Sequence, residues 1–272
     1  MTSTPLVSII CLCYNHENFV KESLDSVVNQ SYKNIQIIIV DDYSSDNSVS
    51  EIENWIKNHS DVTFIKNSKN MGNNLSFNQV LPLVKGDYVI DFATDDVLFE
   101  DTIASQIEAF HQNPSAALVF GNAELVNEKG KHLSYHFHTN SAQKVLDTSL
   151  HKTNCISLLK GGNCMCSVSA MMKKSVVDTL KGYDESLFYE DLDFWFRLSK
   201  QYSITFIDQP LVQKRVINTS QSTFFYKKNE YAKKINASTY KILRKAYVMN
   251  TSVEEHQALL KRVHFEMVHN LN

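Results

Sequence analysis

Apolar positions along the first 120 residues switch repeatedly between a continuous pattern and a helical one. Residues 6–13 (LVSIICLC) are a near-unbroken apolar run, as a strand covered on both faces requires. Residues 15–18 break it, and Val20, Leu24, Val27 and Val28 then recur at helical spacing. Residues 35–40 read as a second buried strand, closed by Asp41-Asp42-Tyr43-Ser44-Ser45-Asp46. Ser45, Asp46 and Ser48 are candidate caps for a helix through Ile52, Trp55 and Ile56. A third strand is expected at 62–65 and a fourth at 88–92. Between them lie a turn-rich segment, 67–74, and a helix carrying Phe77, Val80, Leu81 and Val84. A helix over 102–112 and a strand at 117–120 complete the series. This alternation predicts an α/β fold whose first 120 residues build a parallel sheet with helices on both faces.

After Gly121 the order changes. Asn127-Glu128-Lys129-Gly130 is a turn signal, and 131–150 is rich in His and Ser without a clear period. Strands are expected at 164–172, 204–207 and 211–217, and a short helix at 190–198. From Tyr226 onward two helical patterns run, split near Asn250-Thr251. Ser252 with Glu255 resembles a capping box for the second.

Composition narrows the class. The chain has 272 residues, 43% hydrophobic, with only 7 Gly and 4 Pro, which suits one large globular domain or a domain with an appendage and leaves little room for flexible linkers. Residues 1–223 carry 18 Lys and Arg against 26 Asp and Glu, a balance of −8; residues 224–272 carry 9 against 4, a balance of +5. An acidic body argues against nucleic acid as its main ligand. Five Cys, an odd number, include two C-x-C pairs (Cys11 and Cys13, Cys164 and Cys166) that lack the spacing of structural zinc. Core packing and a reducing, cytoplasmic setting are expected. Residues 1–13 lack the basic start and long apolar core of a signal peptide. No stretch approaches the ~20 apolar residues of a membrane span, so a soluble or peripheral protein is expected.

Three acidic clusters carry the candidate chemistry: Asp41-Asp42, Thr94-Asp95-Asp96 and Glu190-Asp191. The first two follow predicted strands, and ligands of open α/β sheets bind beyond the strands' carboxyl ends. Carboxylates there repel a bare diphosphate but can hold a divalent cation that in turn holds it.

At this point the chain resembles a known family. Pro5 to Asn15 (PLVSIICLCYN), followed by Val40-Asp41-Asp42-Tyr43-Ser44-Ser45-Asp46, is similar to the start of a family 2 glycosyltransferase of the GT-A fold. So are Asn70-Met71-Gly72-(x)5-Asn78, Asp87-Tyr88-Val89-(x)4-Thr94-Asp95-Asp96, and Gly182-Tyr183-Asp184-Glu185 followed by Glu190-Asp191-Leu192-Asp193-Phe194-Trp195-Phe196-Arg197-Leu198. The resemblance spans roughly residues 5–220. It implies a GT-A, Rossmann-like mixed sheet flanked by helices. A glycosyltransferase domain would occupy 1–223, with a nucleotide-binding half at 1–120 and an acceptor half at 121–223, and 224–272 would be a basic helical extension.

The resemblance also implies roles. Tyr14 would touch the nucleotide base, and Asp42 with Asp41 would hydrogen-bond base or ribose. Asp95 and Asp96 would hold ribose and metal, Asp96 being the direct ligand. Asp191 would be the catalytic base, with Glu190 tuning or replacing it, and Asp193 would be structural. The implied reaction is inverting transfer of one sugar from a nucleotide-sugar donor, a UDP-sugar first of all, to a carbohydrate or lipid-linked acceptor. Mn²⁺ or Mg²⁺ would assist it, in bacterial surface polysaccharide synthesis. The chain departs from the pattern at Ala93, where the family often has an acid, and at Tyr43, where Gly is frequent. It also lacks the Q-x-x-R-W string of processive synthases. The alternative reading is an inactive nucleotide-sugar or glycan-binding module. A nucleotidyltransferase would need a Gly-rich, basic phosphate loop that residues 14–18 lack.

Bland readings compete at several positions. Acids before a helix can simply favour its dipole. Trp195 and Phe196 read as core; of His132, His136 and His138, the last two can share a strand face but lack a third ligand for zinc. In the tail, residues 224–228 (FFYKK) with Lys233, Lys234, Lys241, Arg244 and Lys245 describe either a helix on an anionic membrane surface or, the preferred reading, a helix packed on the body with a solvated basic face. Helices of that length can also mediate a homodimer.

Overall fold

A computed structural model describes residues 4–160, 164–217 and 229–270, the side chains of 269 and 270 excepted. The expected 224–228 stretch lies outside these residues. Among the described residues a nine-stranded mixed sheet runs through the molecule. Its centre is β1 (Val7–Cys13), every residue of which is buried, and it pairs in parallel with β2 (Ile35–Asp41) on one side and β4 (Tyr88–Ala93) on the other. β3 (Val62–Lys66) extends the parallel set beyond β2. The intervening helices are α1 (Val20–Val28), α2 (Ser48–Ile56) and the short α3 (Asn73–Asn78), with a 3₁₀ turn at Leu81–Leu83. Asp46, not the residue at the helix start, satisfies α2: its Oδ1 accepts the Ser48 N–H at 2.9 Å.

Beyond β4 the sheet becomes mixed, as the resemblance implies. β5 (Val97–Leu98), α4 (Thr102–Gln112) and β6 (Ala116–Val126) follow, but β6 does not lie beside β4. β8 (Met171–Lys173) inserts antiparallel between them. The strand expected over 164–172 is therefore only three residues long. Ser169 explains the difference: its hydroxyl donates to the Gly121 carbonyl and accepts the Gly121 N–H, so residues 167–169 close into a 3₁₀ turn instead of a ladder. The two late strands are one, β9 (Ser203–Arg215), parallel to β6, with register shifts where Pro210 faces Asn122. Gly121 is required at that irregularity, since a Cβ there would stand 2.7 Å from Leu211 and 2.8 Å from the Gln209 carbonyl. β7 (His132–Tyr135) pairs with the end of β6, and β5 with β9.

The remaining helices are α5 (Cys155–Lys160), α6 (Lys174–Thr179), α7 (Asp191–Ser199), α8 (Glu230–Met249) and α9 (Val253–Asn270). The Ser252–Glu255 capping box is present: the Glu255 N–H donates to Ser252 Oγ at 3.2 Å and the Ser252 N–H to Glu255 Oε2 at 3.3 Å. Leu243, Ala246, Ala258 and Leu259 of the last two helices share a small core with Leu159 and Phe196. Polar bonds add to this packing. Ser238 Oγ accepts the Phe188 N–H at 2.7 Å, and Tyr189 and Thr239 hydroxyls meet at 2.7 Å. Lys245 reaches Asp184 at 2.5 Å and the buried Asp193 at 2.7 Å. α8 thus lies against the segment that leads into α7, while its outer face exposes Tyr240, Arg244 and Tyr247. Among the described residues no helix is long and apolar enough to cross a membrane.

Lys245 joins α8 to two carboxylates, one of them buried. Lys245→Met keeps the aliphatic stem and removes the charge, so Asp193 retains only Arg197. The variant should lose about 2 kcal/mol, below the full cost of breaking a buried pair because Lys245 is partly solvated. A urea titration with an unchanged midpoint would contradict this bracing role.

Candidate active site

The carboxyl ends of β1, β2 and β4 form one rim. Tyr14 and Asn15 leave β1 there, Tyr14 being 45% exposed. Asn15 takes a left-handed conformation (φ 59°), which Asn tolerates, and its side chain accepts the Ser45 N–H at 2.8 Å. Tyr43, 58% exposed, is also left-handed (φ 67°), a conformation costing a non-glycine residue about 1–2 kcal/mol. It is held by the bonds of its neighbour Ser44, whose N–H and hydroxyl both donate to Asp41 (2.9 and 2.5 Å) and whose Oγ accepts the Asn15 N–H.

Asp42 organises the next loop. Its Oδ1 accepts from Asn67 Nδ2 and the Met71 N–H, and its Oδ2 from the Gly72 N–H, all at 2.8 Å. Three of about four acceptor positions of this carboxylate are so used. The loop leads into α3, whose side chains reach across to the late motif. Asn78 exchanges two bonds with the Tyr183 backbone (2.8 and 2.9 Å), and Asn74 Nδ2 donates to the carbonyls of Asp184 and Leu187. Gly182 is required beside this clamp: its φ is +66°, and a Cβ would stand 2.3 Å from Asn78 Oδ1.

The structure separates the two acids after β4. Asp96 is 3% exposed and its Oδ1 accepts the Arg215 N–H of β9 at 2.8 Å. Burial, reinforced by Asp95, pushes its carboxyl well above the usual range. Arg215 is itself buried, donating to the Asp95 carbonyl at 2.9 Å and pairing with Glu22 at 2.8 Å. Asp95 faces the rim instead: its side chain is 14% exposed and has no hydrogen-bond donor among the described residues, only His16 Nε2 at 4.0 Å.

Glu190 and Asp191 stand at the start of α7. Asp191 Oδ1 accepts the Leu192 N–H at 2.7 Å. Burial raises the Asp191 carboxyl, against the opposing pull of that N–H, Lys214 and Ser167. Glu190 is raised by burial, then by the charges of Asp191 and Asp91. Lys214 of β9 opposes the rise at both Asp96 and Asp191. The Lys214 side chain has no hydrogen bond or ion pair among the described residues, its backbone lying in the β6–β9 ladder.

Asp193 pairs with Arg197 and Lys245 below the surface, and Trp195 and Phe196 are core. His132 bonds Glu124, and His136 the Met165 carbonyl. Among the described residues no three His, Cys, Asp or Glu converge as a metal centre. All five cysteines are free, with burial pushing Cys13 and Cys166 to about 11, too high for a thiolate nucleophile.

The apolar reading of β4 passed over Asp91. It accepts the Tyr183 hydroxyl at 2.9 Å, and burial pushes it up to about 7, against the effect of that bond. A charge inside an otherwise apolar run was the available signal. His16, Lys214 and Arg215 were likewise unmarked, because nothing near them in sequence shows what they face.

The mixed sheet and helical surround are those of GT-A glycosyltransferases. Staphylococcus aureus TarS 1–349 in complex with UDP-GlcNAc superposes with a TM-score of 0.74 at 15% identity, covering 96% of this chain and 72% of that one. The mannosyltransferase PcManGT from Pyrobaculum calidifontis, in complex with GDP-Man and Mn²⁺, gives 0.72 at 15% identity, covering 99% and 72%. At such identity the likeness shows the fold. The glycosyl transferase family 2 model matches residues 8–180, and this chain belongs to that family. An uncharacterized glycosyltransferase of Rickettsia bellii is 32% identical over 216 residues, 79% of this chain. The chain spans only 30% of that relative's length. One of Methanocaldococcus jannaschii, MJ1057, is 28% identical over 218 residues, covering 79% of this chain and 72% of the relative.

Asp91 yields a signed prediction. Its folded pKa of about 7 exceeds the ordinary 3.8. Its contribution is therefore fully present at low pH and is lost as pH rises from about 4 toward 7. Asp91→Asn keeps a partner for Tyr183 and cannot ionise. Melting temperatures should fall more steeply across this window in the wild type than in the variant; parallel curves would contradict the burial assigned to Asp91.

Proposed function

We propose that this chain transfers one sugar from a nucleotide-sugar donor, a UDP-sugar, to a carbohydrate hydroxyl with inversion, supported by a divalent cation. The observation that carries the reading is the rim itself: the Asp95 carboxylate at the β4 end has no hydrogen-bond donor among the described residues, and the Asn74 and Asn78 clamp ties the loop held by Asp42 to the segment that leads into Asp191. In this reading Tyr14 lies against the base. Asp42 spends its remaining acceptor position on base or ribose, and Asp41 fixes the 43–45 turn beside it.

The residues fit a divalent cation. Asp95 offers an unengaged, half-buried carboxylate at the rim, and sites for small hard dications commonly take one or two carboxylates, the remainder coming from substrate phosphates and water. The resemblance puts Asp96 first as ligand; this proposal puts Asp95 first, because Asp96 is turned toward Arg215. When bound, the cation neutralises charge growing on the departing diphosphate.

Asp191 takes the proton of the acceptor hydroxyl. That oxygen forms its bond to the anomeric carbon as the bond to the diphosphate breaks on the opposite face. The nucleoside diphosphate leaves with the electron pair. Burial raises the Asp191 and Glu190 carboxyls above their ordinary values, which makes each a stronger base, and the clamp of Asn74 and Asn78 fixes the segment preceding them. α8, packed on that segment with an exposed Tyr and Arg face, suits an acceptor carried on lipid, and bacterial surface polysaccharide assembly on the cytoplasmic face of a membrane is the setting proposed.

Asp191→Asn should leave donor binding unchanged and lower transfer by about 10²–10⁴-fold, the range of a positioned base. Asp95→Asn should remove the part of donor binding that depends on metal. Calorimetry for the donor and a coupled assay for released nucleoside diphosphate report both. Transfer at the wild-type rate by Asp191→Asn would overturn the base assignment, and transfer by neither protein would favour an inactive donor-binding module.

A further inference from the structure

Beside Asp95 stands a nitrogen that neither the motifs nor the relatives' names assign. His16 Nδ1 lies 2.9 Å from Thr94 Oγ1. A Thr94 hydroxyl that donates to the Leu12 carbonyl at 3.2 Å accepts from Nδ1, and in that tautomer of the neutral ring Nε2 presents a bare lone pair. The ring faces Asp95, Asp46 and Asp41. These facing charges are all carboxylates. Asp46 is bonded to Ser48 and the Glu17 N–H, and Asp41 to Ser44; Asp95 alone of the three has no donor among the described residues.

The ring is also fixed in place. The His16 N–H donates to Ser48 Oγ at 2.8 Å, and its carbonyl accepts the Phe19 and Val20 N–H groups at 2.8 and 2.9 Å. The segment between β1 and α1 therefore holds Nε2 4.0 Å from Asp95 Oδ2. Two atoms ligating one cation at bonds of ~2.1 Å can stand at most ~4.2 Å apart, so this pair can share a cation without backbone movement. The free Asp95 carboxylate can turn to close the angle.

We infer that His16 Nε2 is a second protein ligand of the donor-bound cation, beside Asp95, and that this nitrogen makes the site prefer a transition-metal dication such as Mn²⁺ or Co²⁺ over Mg²⁺. The inference rests on the metal-supported donor binding proposed above. Its basis is ligand chemistry: Mg²⁺ takes oxygen ligands and keeps its waters, whereas imidazole favours first-row transition metals in the order of their intrinsic affinities. Thr94 then acts as the outer partner that fixes the tautomer, the arrangement common to metal-bound histidines.

The test uses the full chain with Mn²⁺ and either UDP or GDP, read by pulsed EPR on protein carrying natural-abundance or ¹⁵N-labelled histidine. A nitrogen coupling to Mn²⁺ that changes with histidine labelling is expected. His16→Asn keeps an amide near Thr94 and removes Nε2. It should lose that coupling and weaken Mn²⁺-supported UDP binding by about tenfold or more, the scale of even outer-shell losses, while changing Mg²⁺-supported binding less. Mn²⁺ held with nucleotide but without histidine coupling would overturn the inference and leave the metal reading intact. So would a Mn²⁺-to-Mg²⁺ preference unchanged in His16→Asn. If neither nucleotide holds Mn²⁺ on the wild type, the metal reading itself fails. The labelled wild-type spectrum decides the matter even if the variant folds poorly.

Discussion

The Asp42 carboxylate, bonded to Asn67, Met71 and Gly72, and the Asn74 and Asn78 amides, bonded to the backbone of Tyr183, Asp184 and Leu187, form one continuous brace across the molecule. A parallel strand pair can fix residues at its own carboxyl end, but nothing in the β1–β2 pairing fixes a segment more than a hundred residues later. Side chain to backbone bonds do that here. They satisfy buried backbone groups that a loop would otherwise leave unpaired, so breaking one costs the desolvation of its partner as well as the bond. The third motif is thus a strut between the rim at the carboxyl ends of the parallel strands and the segment carrying Glu190 and Asp191. Lys245 closes the same segment from the other side through Asp184 and Asp193. Although burial acts to raise it, Lys245 and the Ser186 N–H hold the Asp184 carboxyl down to about 2.

Electrostatics at the rim follow from this bracing. Carboxylates gathered at one mouth repel, and the chain separates their tasks by burial. Asp96 and Arg215 turn inward and join β4 to β9, whereas Asp95 remains open. Asp91, Glu190 and Asp191 are lifted by burial, and at Asp191 Lys214 opposes the rise. The negative field that remains is what a divalent cation answers, and what an unaccompanied diphosphate cannot enter.

Much of this was legible in the chain. Continuous apolar runs gave β1, β2 and β4 because strands buried on both faces need no alternation, and helical spacing with a capping box located α8 and α9. The order of the second half was not legible. β8 is set by Ser169 bonding to Gly121, a contact between residues 48 positions apart that no local period reports. For the site, acidic doublets at strand ends marked the rim, but not which carboxylate faces inward. That depends on the Arg215 N–H, 119 residues beyond Asp96. His16 was silent for the same reason, since its meaning lies in Thr94 and Asp95, 78 and 79 residues further on.

The central claim is that the rim binds a nucleotide-sugar donor through its diphosphate with a divalent cation between them. Calorimetric titration of the full chain with UDP, GDP, CDP and dTDP, each with and without Mn²⁺ or Mg²⁺, tests it most directly. The account predicts that UDP binds, and that its binding collapses when the cation is chelated. Binding of no nucleoside diphosphate, or binding indifferent to metal, would contradict it.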